Sequence, residues 1–66
     1  MKSLKQLRAD KRVSEIRNVE GCGFNEGIKY EINLADGYAF DDGSHLEYVG
    51  SVAELNQLLN ECVVEE

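Results

Sequence analysis

Neither proline nor tryptophan occurs in this chain, and after residue 20 a single Lys or Arg, Lys29, remains. There is also no linker, internal repeat or low-complexity segment, so the 66 residues are expected to form one domain, 1–66. Uncharged runs fall far short of the roughly 20 residues a spanning helix needs. Met1–Asp10 has no apolar stretch of the kind that directs export. The expected location is therefore the cytoplasm, with no membrane contact. Cysteine is scarce too. Cys22 and Cys62 are one pair, whereas secreted miniproteins of this size carry about two to four bridges. The favoured reading makes Cys62 a small core residue at the end of a helix and Cys22 a loop thiol, with a Cys22–Cys62 bridge as the alternative.

What is present describes an ordered domain. Hydrophobic residues make up 42% of the chain and charged residues 30%, which is enough apolar surface to collapse and too little net bias for disorder. A chain this short buries only about 60% of the surface its unfolded form exposes. Nearly every large apolar side chain must then serve a single core, and little is left to line a deep substrate cavity.

The plainest element is Ile28–Leu34, where Ile28, Tyr30, Ile32 and Leu34 alternate with Lys29, Glu31 and Asn33. That period of two predicts a half-buried strand. Around it, Ser3 is placed to cap a short helix running through Arg8 or Ala9, with Leu4 and Leu7 inward. Val13, Ile16 and Val19 recur every third residue, which predicts a strand broken by a bulge; a helix continued to Arg17 is the competing reading. Gly21–Gly27 reads as a hairpin loop with Phe24 folded over the core edge. Asp36–Gly37 marks a tight turn after which Tyr38–Phe40 is expected to run back along the central strand. His45–Val49 is the candidate fourth strand. Ser51 and Glu54 match a capping box, opening a helix to about Glu61 with Val52, Leu55, Leu58, Leu59 and Cys62 on one face. The expected fold is α+β: an antiparallel sheet of three or four strands, a short N-terminal helix, and a C-terminal helix packed on one face.

Chemical motifs are weak throughout. Ser44 and His45 are neighbours, but adjacent residues on a strand or turn point apart, which is not the geometry that activates a nucleophile. Zinc needs about four ligands, and Cys22, His45 and Cys62 supply fewer, without C-x-x-C spacing. Asp36, Asp41 and Asp42 lack the order of a calcium loop. Gly21, Gly23 and Gly27 do not form a phosphate-binding fingerprint. No catalytic group, metal or cofactor is therefore expected.

Charge carries more. Residues 1–20 hold six Lys or Arg against three acids, a net of +3, while residues 21–66 hold ten acids against Lys29, a net of −9. Such a field repels nucleic acid and attracts basic partners. Acidic surface for solubility alone is the bland account. The sharper account is a decoy for a nucleic-acid groove, since duplex DNA presents about one negative charge per 1.7 Å of axis. The carboxylates expected to form that face are Glu26, Glu31, Asp36, Asp41, Asp42 and Glu47.

The runs Lys2–Val13 (KSLKQLRADKRV), Leu34–Phe40 (LADGYAF) and Ser51–Leu55 (SVAEL) resemble segments of small phage and mobile-element proteins. Within that population, length, acidity and single-domain design are similar to those of anti-CRISPR proteins, particularly inhibitors of type I surveillance complexes such as the type I-C group. The resemblance implies a non-enzymatic, monomeric protein of the host cytoplasm that binds a Cas subunit and blocks target-DNA or PAM recognition. It carries over no active-site residue. A small phage interaction module with another protein partner is the alternative, and an enzyme or metal protein built on Cys22, His45 and Cys62 is the third.

Overall fold

Alternation at residues 28–34 gives the central strand of the sheet, β2 (Tyr30–Leu34), in a computed structural model that describes residues 1–23 and 26–65. Phe24, for which a core-edge position is expected, lies outside the described residues. Before β2 come α1 (Leu4–Arg8) and β1 (Val13–Asn18); after it come β3 (Tyr38–Ala39), β4 (Leu46–Val49), α2 (Val52–Asn60) and β5 (Val63–Val64). β1 and β4 flank β2, both antiparallel to it, and β3 pairs separately with β5. The fold is α+β, a three-stranded antiparallel sheet with two short helices.

β1 contains the expected irregularity. Its pairing with β2 shifts register between Val13 and Glu15, and the extra residue lets Val13 and Ile16, three apart, both face the core. That core joins Leu7, Val13, Ile16, Ile32, Leu34, Phe40, Val49, Leu55 and Leu59 on one side of the sheet.

One expectation is corrected. Tyr38–Phe40 does not run back along β2, because the Asp36–Gly37 turn leads the chain out of the sheet, with Gly37 at φ 92°. β4 takes the vacant place beside β2. α2 ends at Asn60 with Glu61 as its C-cap, within a residue of the expected end, so Cys62 stands just past the helix. The chain then extends into β5, which pairs with β3 and gives Val63 and Val64 a structural purpose that their sequence did not advertise. Cys62 still packs partly against the core, and both thiols are free.

The helix starts follow from local chemistry. At α1, Ser3 Oγ accepts the Gln6 N–H at 3.3 Å and Gln6 Oε1 accepts the Ser3 N–H at 2.8 Å. At α2, Ser51 Oγ accepts the Glu54 N–H at 3.2 Å, while Glu54 Oε2 accepts the N–H of Gly50 at 3.1 Å, one residue earlier than a capping box has it. Five residues cannot hold a helix by themselves, so α1 depends on buried Leu7 and on the turn that follows. There Asp10 accepts from Arg12 N at 2.9 Å, Arg12 Nε at 3.0 Å, Arg12 Nη2 at 2.8 Å and Lys2 Nζ at 3.1 Å. Arg12 Nη1 continues to the Leu59 carbonyl at 3.0 Å and ties this turn to the end of α2.

Candidate interaction surface

The six expected carboxylates do not share one face. Asp36 follows β2, and Asp41 and Asp42 sit in the turn before β4, which runs antiparallel to β2, so these three lie at one end of the sheet and are exposed. Glu47, half-buried on β4, joins them through Ser44. Glu26 belongs to the β1–β2 loop at the opposite end and is exposed there.

Glu31 is the clear departure, because it is 8% exposed. Ladder register puts Arg17, Glu31 and Tyr48 side by side across β1, β2 and β4, on the sheet face away from the core. Asn33 Nδ2 donates to Glu31 Oε1 at 2.9 Å and Arg17 Nη1 stands 3.7 Å away. The Tyr48 hydroxyl bonds to Glu31 as well; desolvation first, then this carboxylate, push the phenol's pKa above its ordinary value. Glu31 is thus occupied in holding three strands together and offers little charge to a partner. The pairing that buries it was invisible without the register.

The end that keeps its charge is built on ordered turns. The Phe40 N–H donates to the Ser44 carbonyl and the Gly43 N–H to the Phe40 carbonyl, both at 2.9 Å. Asp42 Oδ1 accepts the Ser44 N–H at 3.0 Å, and Ser44 Oγ lies 2.7 Å from Asp42 Oδ1 and 3.1 Å from Glu47 Oε1. Donation from the Ser44 hydroxyl and amide holds the Asp42 carboxyl below its ordinary pKa. A further acid, Glu65, arrives through β5: its N–H donates to the Gly37 carbonyl at 2.8 Å and its Oε2 is 2.9 Å from His45 Nε2. Only its position in the chain's acidic tail hinted at this. Ser44 and His45 therefore engage different partners, the hydroxyl Asp42 and Glu47, the imidazole Glu65. Among the described residues no three His, Cys, Asp or Glu side chains are grouped to hold a metal ion, so Cys22, His45 and Cys62 are not brought together.

Elsewhere, an open cavity of about 620 Å³ lies between α1 and α2, with Lys2, Gln6, Arg12, Asn56 and Gln57 on its walls. Much of its polarity is already used. Asn56 accepts the Lys2 N–H and donates to the Lys2 carbonyl, each at 2.9 Å, and Arg12 and Lys2 both serve Asp10. No described helix is long and apolar enough to cross a membrane. Comparison of the chain with protein-family models, with curated proteins and with solved structures finds no match.

Proposed function

We propose that this protein is a non-enzymatic binding domain whose acidic end, Asp36, Asp41, Asp42 and Glu47, enters a Lys/Arg-lined groove that another protein uses for nucleic acid. The finer reading, an anti-CRISPR inhibitor that binds a Cas subunit of a type I surveillance complex in the host cytoplasm and blocks target-DNA or PAM recognition, rests on the resemblance of the sequence. The observation that carries the coarser reading is the juxtaposition of three exposed aspartates on closed turns at one end of the sheet, with Asp42 fixed by Ser44. Carboxylates held in place lose less freedom on binding than mobile ones, and their attraction to a cationic groove falls with salt as a phosphate backbone's does.

The experiment is competition for target DNA on a purified type I complex, with Asp36→Lys/Asp41→Lys as the control. Asp42 is left in place because reversing it would also open the turn. The expected result is displacement of DNA by the wild type, weakened by salt and by the double variant. Undiminished DNA binding at excess protein removes the anti-CRISPR reading. A second reading, a module for some other protein partner, draws on Leu46 and Tyr48, which stand 39% and 38% exposed on the sheet face away from the core.

A further inference from the structure

β4 is an outer strand of the sheet, with β2 on one side and, among the described residues, no strand on the other. The Leu34 N–H donates to the His45 carbonyl at 3.0 Å, which makes 34/45 a bonded pair. Alternation along an antiparallel ladder then turns the amide and carbonyl of Leu46 outward. Such an edge is a template for another strand unless charge, proline or a covering element blunts it. Proline is absent from the chain, and no described residue pairs with the Leu46 backbone on that side.

The two flanks of this edge differ in chemistry. On the core side a groove of about 410 Å³ runs between Val49 and one flank of α2, where Glu54, Gln57, Leu58 and Glu61 recur at i, i+3, i+4 and i+7. Val49 and Leu58 supply its apolar lining, and Glu54 and Glu61, seven residues apart on α2, supply a carboxylate each. On the opposite side Leu46 and Tyr48 present an apolar and aromatic strip. A strand added to β4 directs its side chains alternately to these two flanks.

We infer that β4 takes up an extended segment of a partner protein by strand addition, and that the segment alternates Lys or Arg, directed to Glu54 and Glu61, with apolar residues laid on Leu46 and Tyr48. Main-chain pairing supplies the register and the two flanks supply the selectivity. A second copy of this chain is the wrong occupant, since its net charge is −6 and each edge would bring its own glutamates against the other's. The surface leaves out Asp36, Asp41 and Asp42 and meets the acidic end only at Glu47, which lies on β4 between Leu46 and Tyr48, and the inference does not rest on the groove-binding reading.

The test uses the full chain, isotopically labelled, and a capped octapeptide of alternating Lys and Val. Binding is expected to slow amide exchange at Leu46 by about tenfold or more at saturation, to weaken with salt, and to weaken several-fold in Glu61→Lys, whose exposed position leaves the fold intact. Asp36→Lys/Asp41→Lys is expected to bind the peptide as the wild type does. The inference is overturned by no binding at millimolar peptide, by equal binding of a backbone N-methylated peptide or of one with Glu in place of Lys, or by loss of binding in the Asp36/Asp41 variant. It is equally overturned if the protein alone dimerises with Leu46 already protected.

Discussion

At the scale of single residues, the most constrained positions are not those with the most suggestive chemistry. Gly50 looks unremarkable in sequence, yet a Cβ built on it runs into the backbone carbonyl of Gly27. Backbone cannot rotate aside as a side chain can, so Gly50→Ala is expected to lower stability by roughly 1–3 kcal/mol, read as a reduced urea midpoint with unchanged slope. Asp10 is comparable, with a side chain only 6% exposed and donors from Arg12 and Lys2 around it. The Arg12 guanidinium holds its carboxyl well below the ordinary 3.8, and a depressed carboxylate pKa adds stability that is present above the unfolded value and is lost as pH falls towards the folded one. Asp10→Asn should therefore cost about 1–3 kcal/mol at pH 7, and the gap between variant and wild type should narrow below about pH 4. Parallel urea titrations at pH 7 and pH 3 check this, and a gap independent of pH would sink it. Asp42 shows why sequence alone misassigns acids: beside Asp41 it reads as one more surface charge, while its oxygen closes the turn through Ser44.

Elements were legible where the signal is local. Ser3, Ser51 and Glu54 announce helix starts because a cap needs only neighbouring residues, and the spacing of Val13, Ile16 and Val19 announces a bulge because the core reads periodicity directly. Pairing between distant segments was not legible. Tyr38–Ala39 carries the propensity of a strand without saying which edge it meets, and Val63–Val64 is too short to have a period. The same limit hid Glu31, since its burial depends on Arg17 and Tyr48 arriving from β1 and β4. Of the carboxylates expected on one face, Asp36, Asp41, Asp42 and Glu47 lie towards one end of the sheet, while Glu26 lies at the other end and Glu31 is buried between strands. β5 offers a direct check on the element it completes. Removing residues 63–66 takes away the β3–β5 ladder and the Glu65–Gly37 bond, with an expected loss of about 1–3 kcal/mol at roughly 1 kcal/mol per net hydrogen bond. Amide exchange should accelerate at residues 38–39 and stay slow at Ile32; equal acceleration at Ile32 would show that the three-stranded sheet cannot stand without β5.

The whole molecule is a small body with a net charge of −6, and the sign of its self-interaction separates function from solubility. Asp36, Asp41, Asp42, Glu47 and Glu65 gather at one end of the sheet, where His45 is the partner of Glu65. Repulsion among exposed carboxylates weakens as the screening length falls from about 30 Å at 0.01 M salt to about 3 Å at 1 M. The inward Asp10–Arg12 contact is screened far less. Added sodium chloride should therefore raise the thermal midpoint of the wild type. Asp36→Lys/Asp41→Lys should raise stability at low salt by up to about 1 kcal/mol and flatten the salt dependence. Thermal melts of both proteins across that salt range decide the matter, and identical slopes would mean that these carboxylates do not form a shared field. The outcome bears on binding, because a variant that melts higher but no longer displaces DNA has lost a contact surface and not a fold. Acid retained only for solubility predicts the reverse pattern, a variant that precipitates more readily while competing for the groove as well as before.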